Sequence, residues 1–405
     1  MAVRQRQRTG SSGQVNRQRI AAASAMAQVI KCVSNTARQP LDFPNLSSSL
    51  NAENMQLAWD EISSWPGYAP TPLHRMPELA EHCGVKAVLY KDEAQRFGLG
   101  SFKALGGAYA VANLMKRHRL AGHDLSALTV TTATDGNHGR SVAWGAQRVG
   151  CAAKIFIHKH VSKSREQAMR DLGADVMRID GNYDASLAVC RDEAESQGWQ
   201  MVSDTSWPGY REIPLEVMAG YSVLARELIE QVGNLPISHA FLPVGVGGMA
   251  GGIVAALWQE MGKQLCHIIS VESDRAPCFQ LSIAAHSPTK FEIAAETLMA
   301  GLSCGEVSEL AWEILHPTLS HCLSISDQAV APLMRLLGRE SFGGLSLQAG
   351  ECSTAGLAAL LAANKDPKLR RELSLGRDSV VLLIGTEGAT DPELYESILK
   401  GHNTT

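Results

Sequence analysis

The chain has 405 residues, 45% of them hydrophobic and 19% charged, with a formal net charge of −4. That length buries a large core and favours two domains, and the mild negative charge offers no handle for nucleic acid or an anionic membrane. No apolar run reaches about 18 residues, so no transmembrane helix is expected; the nine cysteines show no CxxC or Cys/His cluster, so no metal site or disulfide framework is expected, and the reading is a reduced, cytoplasmic protein.

Residues 1–40 are basic (Arg4, Arg6, Arg8, Arg17, Arg19, Lys31, Arg38), and no Asp or Glu precedes Asp42. The segment reads as a disordered extension, or as an over-extended start with Met26 as initiator. Organellar import through it is the lesser alternative. Ala52 to Ser64 reads as a helix stopped by Trp65-Pro66-Gly67. Tyr68 to Leu73, with two prolines, is extended. A short helix over Met76 to Cys83 precedes a strand, Ala87 to Lys91.

From Ala104 helices and strands alternate. Helices are expected over Ala104–His118, about Gly139–Val149, Ser164–Leu172 and Tyr183–Gln197. Strands are expected over Leu128–Thr132, Ala153–His158, Asp175–Asp180 and Trp199–Ser203. That spacing is that of βαβ units, so a small parallel sheet is predicted. A second block follows, with helices Pro214–Gln231 and Met249–Met261 and strands Ser238–Pro243, His267–Glu272 and Val380–Ile384.

Four stretches carry chemistry. Ser101-Phe102-Lys103-Ala104 places one lysine where a small-residue helix begins. An ammonium near the positive end of a helix dipole is easier to deprotonate, and a neutral amine attacks aldehydes; the other reading is a surface lysine starting a helix. Pro243 to Gly252 carries glycines between a strand and a helix, and the loop Gly245-Val246-Gly247-Gly248-Met249 has the form that cradles phosphate on backbone N–H groups. The same loop meets the loose dinucleotide pattern, with Glu272 as the acid to seek, or is a tight turn that permits close packing. Thr134-Asp135-Gly136-Asn137-His138, again between strand and helix, suits a substrate carboxylate, and Asn137 can donate to a phenolic oxygen. His138 alone reads equally as a packed histidine. Thr386, after the last strand, meets a ring nitrogen or caps a helix.

In this order the four stretches resemble the fold-type-II pyridoxal-phosphate (PLP) enzymes, relatives of tryptophan synthase β and threonine dehydratase, from about Tyr68 to Asp391. KDEAQRFGLGSFKALGGAYA, TTATDGNHGRSVAWGA, VSDTSWPGY and GTEGATD are similar to the diaminopropionate ammonia-lyases in particular. Dehydratases of the group have a serine where this chain has Asp135. A carboxylate there has chemical sense for a substrate with a second amine on Cβ.

The resemblance implies an α/β, two-domain architecture of parallel sheets with helices on both faces. A small domain over 105–212 would be inserted in a large cofactor domain built from 41–104 and 213–405. It implies PLP as cofactor, a small amino-acid substrate and a homodimer. Lys103 would carry PLP and take the Cα proton of L-substrate; Asp135 would take it from D-substrate. Asp204 would bind or protonate the β-amine. Phe102 and Asn137 would flank the ring, Gly245 to Met249 would hold the phosphate, and Thr386 would meet the ring nitrogen. Thr134, Asp135, Gly136, His138 and Asp204 would hold the substrate. The implied reaction is PLP-dependent α,β-elimination of 2,3-diaminopropionate to pyruvate and two ammonia. A serine/threonine dehydratase, a β-replacing synthase and a non-catalytic PLP-binding protein are the alternatives. Cys278 and Cys304 stand where the family tends to carry cysteines, as a pair or as buried thiols.

Overall fold

The computed structural model describes residues 2–39, 50–134, 136–339, 342 and 344–402. Among them, the strands are β1 (Val29–Ser34), β2 (Leu73–Arg75), β3 (Ala87–Asp92), β4 (Thr129–Ala133), β5 (Ala152–His158), β6 (Asp175–Ile179), β7 (Gln200–Met201), β8 (His239–Pro243), β9 (His267–Ser273), β10 (Leu319–Ile325) and β11 (Val380–Gly385). They form two sheets. One has the order β1-β10-β9-β8-β11-β3-β2, the other β6-β5-β4-β7.

The smaller sheet is parallel throughout, as the alternation predicts. In the larger sheet, β10, β9, β8, β11 and β3 run parallel, and only the edge strands β1 and β2 pair antiparallel. Every residue of β8 and β11 is buried. Strands apolar on both faces belong in the centre of a parallel sheet covered by helices on each side.

The helix Lys103–Leu120 joins the two sheets. It packs against the helix Asn137–Val149 on one side and Glu212–Val232 on the other. Small residues make that approach close. A Cβ on Gly106 would stand 2.5 Å from the Tyr221 ring, and one on Gly220 would stand 2.6 Å from Leu105 O. Carboxyl ends of both sheets face one cleft. β3 leads to Lys103, β4 to Thr134, β7 to Asp204, β8 to the glycine loop and β11 to Thr386. This is where α/β proteins bind ligands.

The expected disorder over residues 1–40 is corrected by the structure. Ala2–Met26 is helical, and β1 pairs with β10, with Cys32 opposite Leu323. Ile20, Ala23 and Ala27 are buried, and Lys365 Nζ donates to Ala27 O at 2.7 Å. The physical reason is the sheet edge: without β1 the apolar strand β10 would expose a row of unpaired backbone groups. Arg17 and Arg19 are exposed in the same turn as buried Ile20, so the basic density of the segment hid the apolar residues among them.

Candidate active site

Lys103 opens its helix and lines a cavity of about 870 Å³ together with Phe102, Asn137, Asp204, Tyr221 and Thr386. Its Nζ donates to Asp204 Oδ2, and both side chains are mostly buried. Burial works to lower the lysine, but the Asp204 carboxylate overrides it and holds Lys103 above the usual ammonium range. Burial likewise works to raise Asp204, and the cation of Lys103 holds it well below the usual carboxylate range. The expected easing of deprotonation at the helix N-terminus is therefore outweighed, because an ion pair at contact exceeds the helix dipole.

Asp204 follows β7 after Val202, whose backbone N–H continues the ladder to Thr131 O at 2.7 Å. On the other side of Val202, its carbonyl accepts from His138 Nε2 at 2.8 Å. That bond fixes the imidazole with its proton on Nε2. Nδ1 is left a buried lone pair without a partner among the described residues, and burial pulls the His138 pKa down, so the ring is neutral. His138 is thus both packed and pointed at the cavity.

Thr134 Oγ1 accepts the N–H groups of Gly136 and Gly139, each at 3.1 Å, and so caps the helix that follows. Gly136 has φ 152°, and a Cβ there would meet Arg165 Cδ at 3.1 Å. Asp135, between them, lies outside the described residues. Asn137 Nδ2 donates to Glu387 Oε2. The other oxygen of Glu387 accepts from Cys352 N at 3.1 Å. Thr386 is buried, with Oγ1 3.3 Å from Ser353 Oγ.

The glycine loop answers two of its three readings. Close packing explains Gly245 and Gly247. A Cβ on Gly245 would stand 2.8 Å from Gly301 O, and Gly247 has φ +98° with its Cβ position 2.6 Å from the Phe279 ring. Gly248 is different: the nearest atom to a Cβ is 3.4 Å away. It opens the helix Gly248–Met261 with no side-chain cap, and Gly245 to Ala250 line the cavity. That helix end has the form of an anion site. The dinucleotide reading fails at its acid. Glu272 faces away from the cavity and accepts from Phe279 N at 2.7 Å and Gln280 N at 2.8 Å, and burial pushes it up to about 8.

Sequence reasoning missed Glu387, Tyr221 and, Cys304 apart, the wall over 290–306, which includes Glu296 and Ser303. Glu387 stands beside Thr386 and was legible only as a neighbour. Cys278 and Cys304 are not joined by a disulfide; Cys278 Sγ lies 3.7 Å from Gly245 O. No group of three or more His, Cys, Asp or Glu among the described residues is placed to hold a metal.

The residues fit PLP on their own chemistry. An amine stands at the cavity floor, an aromatic ring (Phe102) beside it, and an uncapped helix N-terminus across from it. Two buried polar atoms of the lining, His138 Nδ1 and Tyr221 Oη, lack partners among the described residues.

Comparison with known proteins agrees. Residues 64–386 match the family model of pyridoxal-phosphate dependent enzymes. Diaminopropionate ammonia-lyase of Escherichia coli (strain K12) is 40% identical over 349 residues, 82% of this chain and 88% of that protein. The Salmonella typhimurium enzyme of the same name is 33% identical over 400 residues, 92% of this chain and 98% of its own. The crystal structure of the Escherichia coli enzyme with D-serine superposes with a TM-score of 0.83 at 36% identity, over 92% of this chain and 97% of that one. A second, with an aminoacrylate-PLP azomethine reaction intermediate, has a TM-score of 0.83 at 37% identity, with the same coverage. The chain belongs to the diaminopropionate ammonia-lyases, a family of fold-type-II pyridoxal-phosphate dependent enzymes.

Proposed function

We propose that the chain converts 2,3-diaminopropionate and water to pyruvate and two ammonia, using PLP. The cofactor, when bound, supplies an electron sink for the pair released at Cα. The roles below belong to the chain.

The Lys103–Asp204 contact carries the reading. With PLP bound, the Lys103 amine would be held by the cofactor aldehyde, and its charge would no longer be fixed opposite Asp204. A buried carboxylate that loses its cation is costly. A substrate that brings its own β-ammonium restores the pair, and the neutral hydroxyl of serine does not. Asp204 therefore selects for the diamino acid, whose β-ammonium already carries the proton it needs to leave as neutral ammonia. Lys103 takes the Cα proton of the L-substrate. Asp135 takes it from the D-substrate, on the opposite face.

The helix end at Gly136, Asn137 and His138 holds the substrate carboxylate with backbone N–H groups. His138, neutral, keeps Asp204 in place through the Val202 segment without adding a competing cation. Thr386 would offer a neutral hydroxyl to the ring nitrogen of PLP, a partner that would leave that nitrogen unprotonated and favour β-elimination. The reading includes a small unit over 105–212, the family's homodimer and a cytoplasmic address. No helix among the described residues is long and apolar enough to cross a membrane.

Stoichiometry tests the reading. Purified protein supplied with PLP is given L- or D-2,3-diaminopropionate, and ammonia and pyruvate are counted. The expected ratio is two ammonia per pyruvate. Turnover of serine or threonine alone, at one ammonia per 2-oxo acid (pyruvate from serine, 2-oxobutyrate from threonine), overturns the substrate.

A further inference from the structure

The cavity wall holds a phenol that no step above uses. Tyr221 lies in the middle of the helix Glu212–Val232 and is 1% exposed. It lines the cavity, yet its Oη is buried without a hydrogen-bond partner among the described residues. Leaving a buried hydroxyl unpaired is costly, and native structures seldom do so without a reason.

Its surroundings narrow the missing partner. The ring stands edge-on to Phe102, with centroids 4.9 Å apart. Its Cε2 is 3.6 Å from the Cβ position of Gly248, the first residue of the helix whose N-terminus opens on the cavity. Gly106 lies against the other edge of the ring, so the phenol cannot swing away. Burial pushes the Tyr221 pKa up, which keeps the hydroxyl protonated and available as a donor.

The glycine loop has a matching deficit. From Gly245 to Ala250 the sequence is Gly-Val-Gly-Gly-Met-Ala. No hydroxyl, amide or cation occurs in it, so it offers an anion backbone N–H groups alone. A phosphoryl group presents three acceptor oxygens. A helix end satisfies those that face it and leaves an acceptor oxygen free at its side, where Tyr221 stands next to Gly248.

We propose that Tyr221 Oη donates a hydrogen bond to a phosphoryl oxygen of the cofactor, completing from a side chain the cradle that the glycine loop forms from backbone. The proposal rests on the PLP reading above. It makes the hydroxyl a recognition group for the phosphate end of the ligand, a different role from those of Lys103 and Asp204, whose charges reach it.

The test compares PLP with pyridoxal, which lacks the phosphate. Binding of each is measured on cofactor-stripped wild type and Tyr221→Phe, and the 31P shift of bound PLP is recorded in both holoproteins. The expected result is an affinity for PLP about tenfold or more lower in Tyr221→Phe, the loss of one hydrogen bond to a charged group, with the affinity for pyridoxal unchanged and the 31P resonance moved. Equal losses for PLP and pyridoxal, or no loss with an unmoved resonance, overturn the role of Tyr221 and leave the PLP reading intact. Wild type that binds no PLP overturns both. Should stripped Tyr221→Phe unfold, the holoprotein 31P shift decides alone: moved supports the contact, unmoved overturns it.

Discussion

Lys103 Nζ and Asp204 Oδ2 are in direct contact on the floor of the cavity, although 101 positions separate them in the chain. One comes from the loop after β3, the other from the end of β7, so the contact spans the two sheets. In cofactor-stripped protein this pairing keeps the lysine a poor nucleophile.

The first prediction follows from that pair. Asp204→Asn removes the charge that raises Lys103. The Lys103 amine of the stripped protein then reacts faster with an acylating reagent at pH 8 than in wild type, read by peptide mass spectrometry. Equal rates would mean the carboxylate does not govern the amine.

A second prediction concerns a charge cluster behind the loop that delivers Lys103. Arg96 is clamped between Glu93 (Nε to Oε2, 2.7 Å) and Glu227 (Nη1 to Oε1, 2.6 Å), and Lys91 reaches Glu227 at 2.7 Å. All four side chains are essentially buried. Glu227→Gln leaves two cations short of a counter-charge, and about 3–5 kcal/mol of stability is lost, the usual cost of breaking a buried pair from one side. Urea denaturation measures it. A change below about 1 kcal/mol would show that water or the neighbouring groups compensate.

Much of the site was legible because it is built from local signals. Lys103, the glycine loop and Asn137 each sit at a strand-to-helix junction, where a small-residue run or a polar cluster marks the turn. Tyr221 was not legible. A tyrosine inside an amphipathic helix looks like core, and only the crossing of that helix with Lys103–Leu120 shows where its hydroxyl ends. β1 was hidden for a related reason. Its pairing with β10 joins residues about 290 positions apart, and its short alternating pattern lies within a basic stretch that resembles disorder. The Lys103 protonation state was misjudged because a helix end is visible in sequence and an Asp204 contact is not.

The glycine loop gives a paired prediction. Gly247→Ala forces a side chain into a left-handed conformation and against Phe279, and costs about 1–3 kcal/mol. Gly248→Ala meets only ordinary contacts within the protein, so its apoprotein melts close to wild type. Thermal unfolding of the two stripped variants compares them directly. Equal melting points would show that the loop relaxes freely around Gly247.

Glu272 yields a pH prediction. Its carboxyl is raised from 4.5 to about 8 by burial. Between those values the unfolded chain releases the proton while the folded chain keeps it. The unfolded state then binds fewer protons, so the Glu272 contribution to stability falls as pH rises across that window. Glu272→Gln cannot titrate and keeps one acceptor oxygen for Phe279 N or Gln280 N. The stability advantage of wild type over this variant is therefore larger at pH 5 than at pH 8 in urea titrations. Parallel pH profiles would show that the two backbone donors hold Glu272 ionised throughout.

The measurement that bears most directly on the account is kcat/KM for L-2,3-diaminopropionate and for L-serine, by pyruvate release, in wild type and Asp204→Asn. The account predicts that wild type prefers the diamino acid and that the substitution lowers the ratio of the two values by about 10²-fold or more. A ratio unchanged by Asp204→Asn, or a wild type that prefers serine, would contradict the claim that this carboxylate reads the β-amine.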